Sequence, residues 1–122
     1  MNILHLTSRT DWKPALTLGA YRAASLDSEG FIHCSRVDQI LKVAETFYKG
    51  QSDLILLEID PSRLKAELKW EPPAGGAPHG VVENDLFPHI YGALNLDAVV
   101  AVHALQINAE GFFQLPSTLA NR

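Results

Sequence analysis

Apolar and polar positions along the chain follow two periods, and the period changes mark the elements. Asn2–Thr7 alternates between two faces and predicts a first strand. Asp11 is a candidate cap for a short helical turn over Trp12–Leu18, with Pro14 placed in its first turn. Gly30–Ser35 reads as a second strand. The clearest helix follows, with Ser35 as N-cap and Val37, Ile40, Leu41, Ala44, Phe47 and Tyr48 recurring at helical spacing. Asp38, Gln39, Lys42, Glu45 and Lys49 fill its other face, and Gly50 ends it. The unbroken run Leu54-Ile55-Leu56-Leu57 within Asp53–Asp60 predicts a central strand, buried on both faces. Pro61–Leu64 is a turn, and Ala66–Glu71 alternates again, with Trp70 on the Leu68 face and expected in the core.

Residues 72–85 hold a proline- and glycine-rich loop of the length of a lid or binding segment. Leu86–Leu94 is extended, and Val99–Ile107 with Gly111–Leu115 forms a closing hairpin. Seven strands and one good helix predict an α+β domain. There is no internal repeat, so the expectation is a single domain over residues 1–122.

Composition narrows the function classes. The chain has 122 residues, 47% of them hydrophobic, enough for one core without disulfide staples. Ten Lys+Arg against fourteen Asp+Glu, with no basic run, give no electrostatic footprint for a DNA duplex. No apolar stretch approaches a membrane span, and the N-terminal residues lack the pattern of a signal peptide. The single cysteine, Cys34, cannot close an internal disulfide. A cytoplasmic location is the expectation.

Three strands carry the same side-chain order on one face: Ile3, His5, Thr7; Phe31, His33, Ser35; Phe87, His89, Tyr91. Each reads apolar, imidazole, hydroxyl. One such histidine alone is more often a core residue hydrogen-bonded to backbone than a catalyst. Three on neighbouring strands would line one concave surface able to bind the diols of a ribose or polarise a reacting oxygen. Cys34 follows His33 but points to the opposite strand face, so the two form no nucleophilic dyad and the thiol reads as inert.

The segments Leu4-His5-Leu6-Thr7, Gly30-Phe31-Ile32-His33-Cys34-Ser35, Trp70-Glu71 and Phe87-Pro88-His89-Ile90-Tyr91-Gly92 resemble the markers of domain-of-unknown-function family 952, over nearly the whole chain. That family is similar at superfamily level to the ADP-ribosyltransferase-like fold. The resemblance implies a split, mainly antiparallel β-sheet with one long helix and short helical turns, and a cleft for a nicotinamide dinucleotide, NAD, between the halves. It implies that His5, with Thr7, holds the nicotinamide-side ribose and that His33 and Ser35 line the nicotinamide pocket. A third position usually held by glutamate carries His89 here, beside Tyr91. Glycosyl transfer passes through an oxocarbenium-like state that a carboxylate stabilises and a protonated imidazole does not. Glu71 and Glu83 are alternative carboxylates away from that position, and Glu71 is also a partner to orient a histidine.

Arg36 stands where the long helix begins, an arrangement that attracts phosphate and serves equally as an ordinary helix start. Arg9 and Arg22 are weaker candidates of the same kind. Neither a P-loop nor a Gly-x-Gly-x-x-Gly cradle is present. The expectation is a protein that binds a nicotinamide dinucleotide or related nucleoside-phosphate ligand in a histidine-lined cleft, with transfer of an ADP-ribosyl or related group as its chemistry. His5, His33 and His89 are the candidate catalytic residues; Thr7, Ser35, Arg36, Glu71 and Tyr91 are the candidate substrate-binding ones. Two alternatives stay open. One is a noncatalytic nucleotide- or metabolite-binding module; the other is a metal-dependent hydrolase using His5, His33 and His89.

Overall fold

The computed structural model describes residues 1–73 and 85–120. In chain order they form β1 (Ile3–Ser8), α1 (Arg9–Leu18), β2 (Ala20–Tyr21), α2 (Ala24–Ser28), β3 (Ile32–His33), α3 (Val37–Phe47), β4 (Leu54–Ile59) and β5 (Glu67–Glu71). Then come β6 (Phe87–Tyr91), β7 (Leu94–Asn95), β8 (Val99–Ala104), β9 (Gln106–Ile107), β10 (Phe113–Gln114) and α4 (Ser117–Ala120). Short 3₁₀ turns lie at Pro61–Arg63 and Leu96–Ala98. Every strand pairing is antiparallel. The fold is α+β, as the patterning predicts. The glycine-rich segment and Glu83 fall in residues 74–84, outside the described residues.

Two three-stranded sheets carry the architecture, ordered β1-β4-β8 and β3-β6-β5. Among the described residues a single bridge joins them, in which Leu4 N–H donates to the Ser35 carbonyl and Ser35 N–H donates to the Leu4 carbonyl, both at 2.8 Å. All six residues of β4 are buried, which is what its unbroken apolar run requires of a central strand. One core layer gathers Ile3, Ile55, Leu57, Ile59, Ile32, Cys34, Ile90 and Tyr21. The layer on the other face gathers Leu4, Leu6, Leu54 and Leu56 under Ile40 and Ala44 of α3.

Several boundaries differ from the expectation for identifiable reasons. The first helix begins at Arg9, because Ser8 rather than Asp11 is the cap: its Oγ accepts Asp11 N–H at 3.1 Å. Pro14 therefore lies inside a ten-residue helix rather than in its first turn. Ser35 does not cap α3, since its backbone is committed to the Leu4 bridge. Arg36 is the cap residue instead, and its N–H is taken by the Gln39 side chain at 2.9 Å. Gln39 itself is buried, not on the solvent face. Its Nε2 donates to Asp85 and to the Leu86 carbonyl, both at 2.9 Å, which offsets the cost of burying an amide. The late extended segment breaks at Gly92, and its continuation, β7, pairs with β2. Trp70 is 38% exposed, so it is not core: β5 is an edge strand whose end runs past the packed layer.

Gly92 is required by a close approach. A Cβ there would lie 2.8 Å from the Ala66 Cβ, and neither atom has a rotatable bond with which to retreat. Gly92→Ala is expected to cost about 1–3 kcal/mol by overpacking. Urea unfolding of the variant measures it, and an unchanged midpoint would show that β5 gives way freely.

Candidate functional site

The strands separate beyond the Leu4–Ser35 bridge, and a cleft of about 450 Å³ occupies the gap. His5, His33 and His89 all line it, together with Thr7, Ser35, Tyr21 and Glu29. The three imidazoles do not, however, project from one sheet face. Ser35 stands opposite Leu4 in the bridge and shares its face, and His33 lies two residues from Ser35. His5, one residue from Leu4, therefore projects to the other side.

His5 opens the split. Leu4 directs both its N–H and its C=O toward β3, so Leu6, two residues on, does the same. A regular ladder would next join Leu6 N–H to the His33 carbonyl. That carbonyl is instead 2.6 Å from His5 Nδ1. A side chain has replaced a ladder bond, and the Leu6 peptide faces the cleft without a strand partner there.

The tautomer of His5 follows from its partners. A carbonyl only accepts, so Nδ1 carries the proton and Nε2 accepts from the Tyr21 hydroxyl at 2.9 Å. The Tyr21 oxygen lies 3.0 Å from Thr7 Oγ1, completing a chain Thr7–Tyr21–His5–His33 carbonyl. Burial lowers the His5 pKa to about 4, against the raising effect of the His33 carbonyl, with the His33 charge lowering it further; burial likewise pushes Tyr21 up to about 12. Both groups are neutral at pH 7. Both ring nitrogens of His5 are engaged by the protein, so any ligand meets it through Tyr21 and through the gap that it props open.

His33 and His89 do come together. They face each other across β3 and β6 as a pair that exchanges no backbone bonds, the position in which side chains lie closest. Their ring centroids are 5.5 Å apart at 77°. His33 Nε2 is 3.0 Å from Glu29 Oε2, and His89 Nδ1 is 2.8 Å from Glu71 Oε1. Glu71 Oε1 also accepts from the Tyr91 hydroxyl at 2.5 Å. Those bonds hold the Glu71 carboxyl below the usual carboxylate range, the Tyr91 bond most, and push the Tyr91 phenol up. Phe31 packs against both imidazoles, stacked on His89 at 4.2 Å and edge-on to His33 at 4.8 Å. Glu71 is thus shared between His89 and Tyr91. Glu29 carried no signal, because it sits in the turn after α2 and belongs to no periodic face.

Ser35 is buried and lines the cleft. Arg36 is spent elsewhere: its guanidinium donates to Asp38 at 2.9 and 3.1 Å and to Asp85 at 3.1–3.3 Å, which raises its pKa and fixes the start of α3 to the start of β6. Cys34 is buried in the core layer, and burial raises its thiol pKa. Among the described residues, no three His, Cys, Asp or Glu side chains are arranged to hold a metal ion. No helix among them is long and apolar enough to cross a membrane.

Comparison with known proteins agrees with this fold. The crystal structure of protein CC0527 from Caulobacter crescentus has a TM-score of 0.82 and 31% identity, covering 98% of this chain and 99% of that one. Its solution NMR structure has a TM-score of 0.77 and 33% identity, covering 99% and 98%. No curated protein matches. The model of a protein family of unknown function, DUF952, matches residues 6–102 and so takes in the end of β1 from Leu6 and both later histidine-bearing strands, β3 and β6, while His5 precedes the matched stretch. The chain belongs to the DUF952 family.

Proposed function

We propose that the protein binds a nucleoside-phosphate ligand of the NAD type in the cleft of the split sheet, on an ADP-ribosyltransferase-like architecture. The carrying observation is the strand gap held open by His5, which leaves the Leu6 peptide turned into the cleft. A donor and an acceptor side by side on a strand edge pair with groups that offer both, such as a carboxamide or a nucleobase edge. Hydroxyl and imidazole groups of Thr7, Tyr21, Ser35, His33 and His89 then border the same space, a set suited to ribose hydroxyls and phosphate oxygens. At about 450 Å³ the cleft is of the size that encloses a nucleotide-sized ligand.

Titration with NAD⁺, ADP-ribose and AMP, followed by calorimetry and by NMR of the histidine rings and the Leu6 amide, tests the reading. Saturable shifts at His33, His89 and Leu6 are expected. Unmoved resonances at millimolar ligand would overturn it.

A further inference from the structure

We infer that the cleft acts on its ligand at phosphorus, with His33 and His89 as a general acid–base pair and Glu29 and Glu71 as their positioning residues. The inference rests on the nucleoside-phosphate reading and adds the bond that reacts.

Each imidazole has one nitrogen tied to a carboxylate, His33 through Nε2 and His89 through Nδ1. The remaining nitrogens are His33 Nδ1 and His89 Nε2. His89 is 2% exposed, yet no buried side-chain nitrogen or oxygen among the described residues lacks a partner. Its Nε2 has no protein partner there, so it opens onto the cleft. A carboxylate on one ring nitrogen fixes the ring and supports the charge gained when the other takes a proton. Phe31 restrains both rings from behind, which holds the pair in place before ligand arrives.

The two dyads favour phosphorus over the ribose carbon. Departure from that carbon leaves a cationic sugar, best met by an open carboxylate. Here Glu29 and Glu71 are engaged by imidazoles, and Glu71 by Tyr91 as well. Displacement at phosphorus instead needs a proton removed from the entering oxygen and one delivered to the leaving oxygen. Lys69 faces His89 across the strands, its ammonium 4.7 Å from the Tyr91 ring centre and 4.0 Å from Glu67 Oε1.

In the reaction, the neutral imidazole takes a proton from water as the water oxygen bonds to phosphorus. The bond from phosphorus to the leaving oxygen breaks, its electron pair stays on that oxygen, and the protonated imidazole supplies the proton. The pair ends with its protonation exchanged and returns to the starting state through solvent.

Incubating the full chain with NAD⁺ and, separately, with a nucleoside cyclic phosphate, then separating products by chromatography and phosphorus NMR, tests this. Expected are AMP with nicotinamide mononucleotide, or a nucleoside monophosphate. His33→Gln and His89→Gln each lower turnover by about 10²–10⁴-fold while ligand still binds. Glu29→Gln lowers kcat with KM held and alters the pH–rate profile, which a purely structural role would not do. Release of free nicotinamide would overturn the inference. Binding without turnover of either probe would overturn it and leave the binding reading standing; absence of binding would remove both.

Discussion

Stability is expected to fall steeply as pH drops from neutrality toward 4, and His5→Gln is expected to remove much of that slope. Native His5 resists protonation until about pH 4 because burial, its largest influence, penalises the imidazolium. In the unfolded chain the same ring takes a proton near its model value of 6.5. Between those two values the unfolded state binds one more proton, so stability declines as pH falls. The contribution is complete above 6.5 and is lost progressively down to about 4, in total about 3 kcal/mol. The carboxylates whose native pKa values are lowered, Glu71 and Asp85 among them, add their losses in a more acidic window. Urea unfolding of both proteins at pH 7, 5.5 and 4.5, roughly spanning the titration range, gives the comparison. An equally steep decline in the variant would remove His5 as the source.

His103→Leu is expected to be the most damaging single change outside the apolar core. His103 and Glu58 are both buried, with His103 Nε2 2.9 Å from Glu58 Oε1. The Glu58 Oε2 accepts from Asn2 at 2.7 Å, and His103 Nδ1 lies 2.7 Å from the Thr118 hydroxyl, which ties α4 to the sheet. Removing the imidazole leaves a carboxylate 1% exposed without that partner, at a cost of about 3–5 kcal/mol. Replacing both, with Glu58→Leu added, recovers most of the loss, since the apolar pair carries no desolvation penalty. Equal destabilisation of single and double variants, read from urea midpoints, would show that the buried Glu58 carboxyl is not the source of the loss.

What the sequence made legible was whatever a period expresses. The buried β4 run and the apolar face of α3 follow from the order of side chains within one element, whereas the facing of His33 and His89 also needs the β3–β6 register. What stayed illegible depends on backbone or on burial of polar groups. The Leu6 peptide has no side-chain signature. Gln39 and Glu45 sit on the polar face of a helical pattern, yet Gln39 is buried and Glu45 accepts Phe113 N–H at 2.6 Å. His5 shares its residue order with the other two strands, but alternation fixes faces only within a strand. The Leu4–Ser35 bridge alone sets the relative parity between β1 and β3, and it places His5 on the opposite side.

That lone stitch also bears on how such proteins diversify. A three-stranded unit on either side keeps its own hydrogen-bonding register whatever happens in its neighbour. Substitutions at the seam therefore alter the width of the cleft without forcing either unit to re-thread.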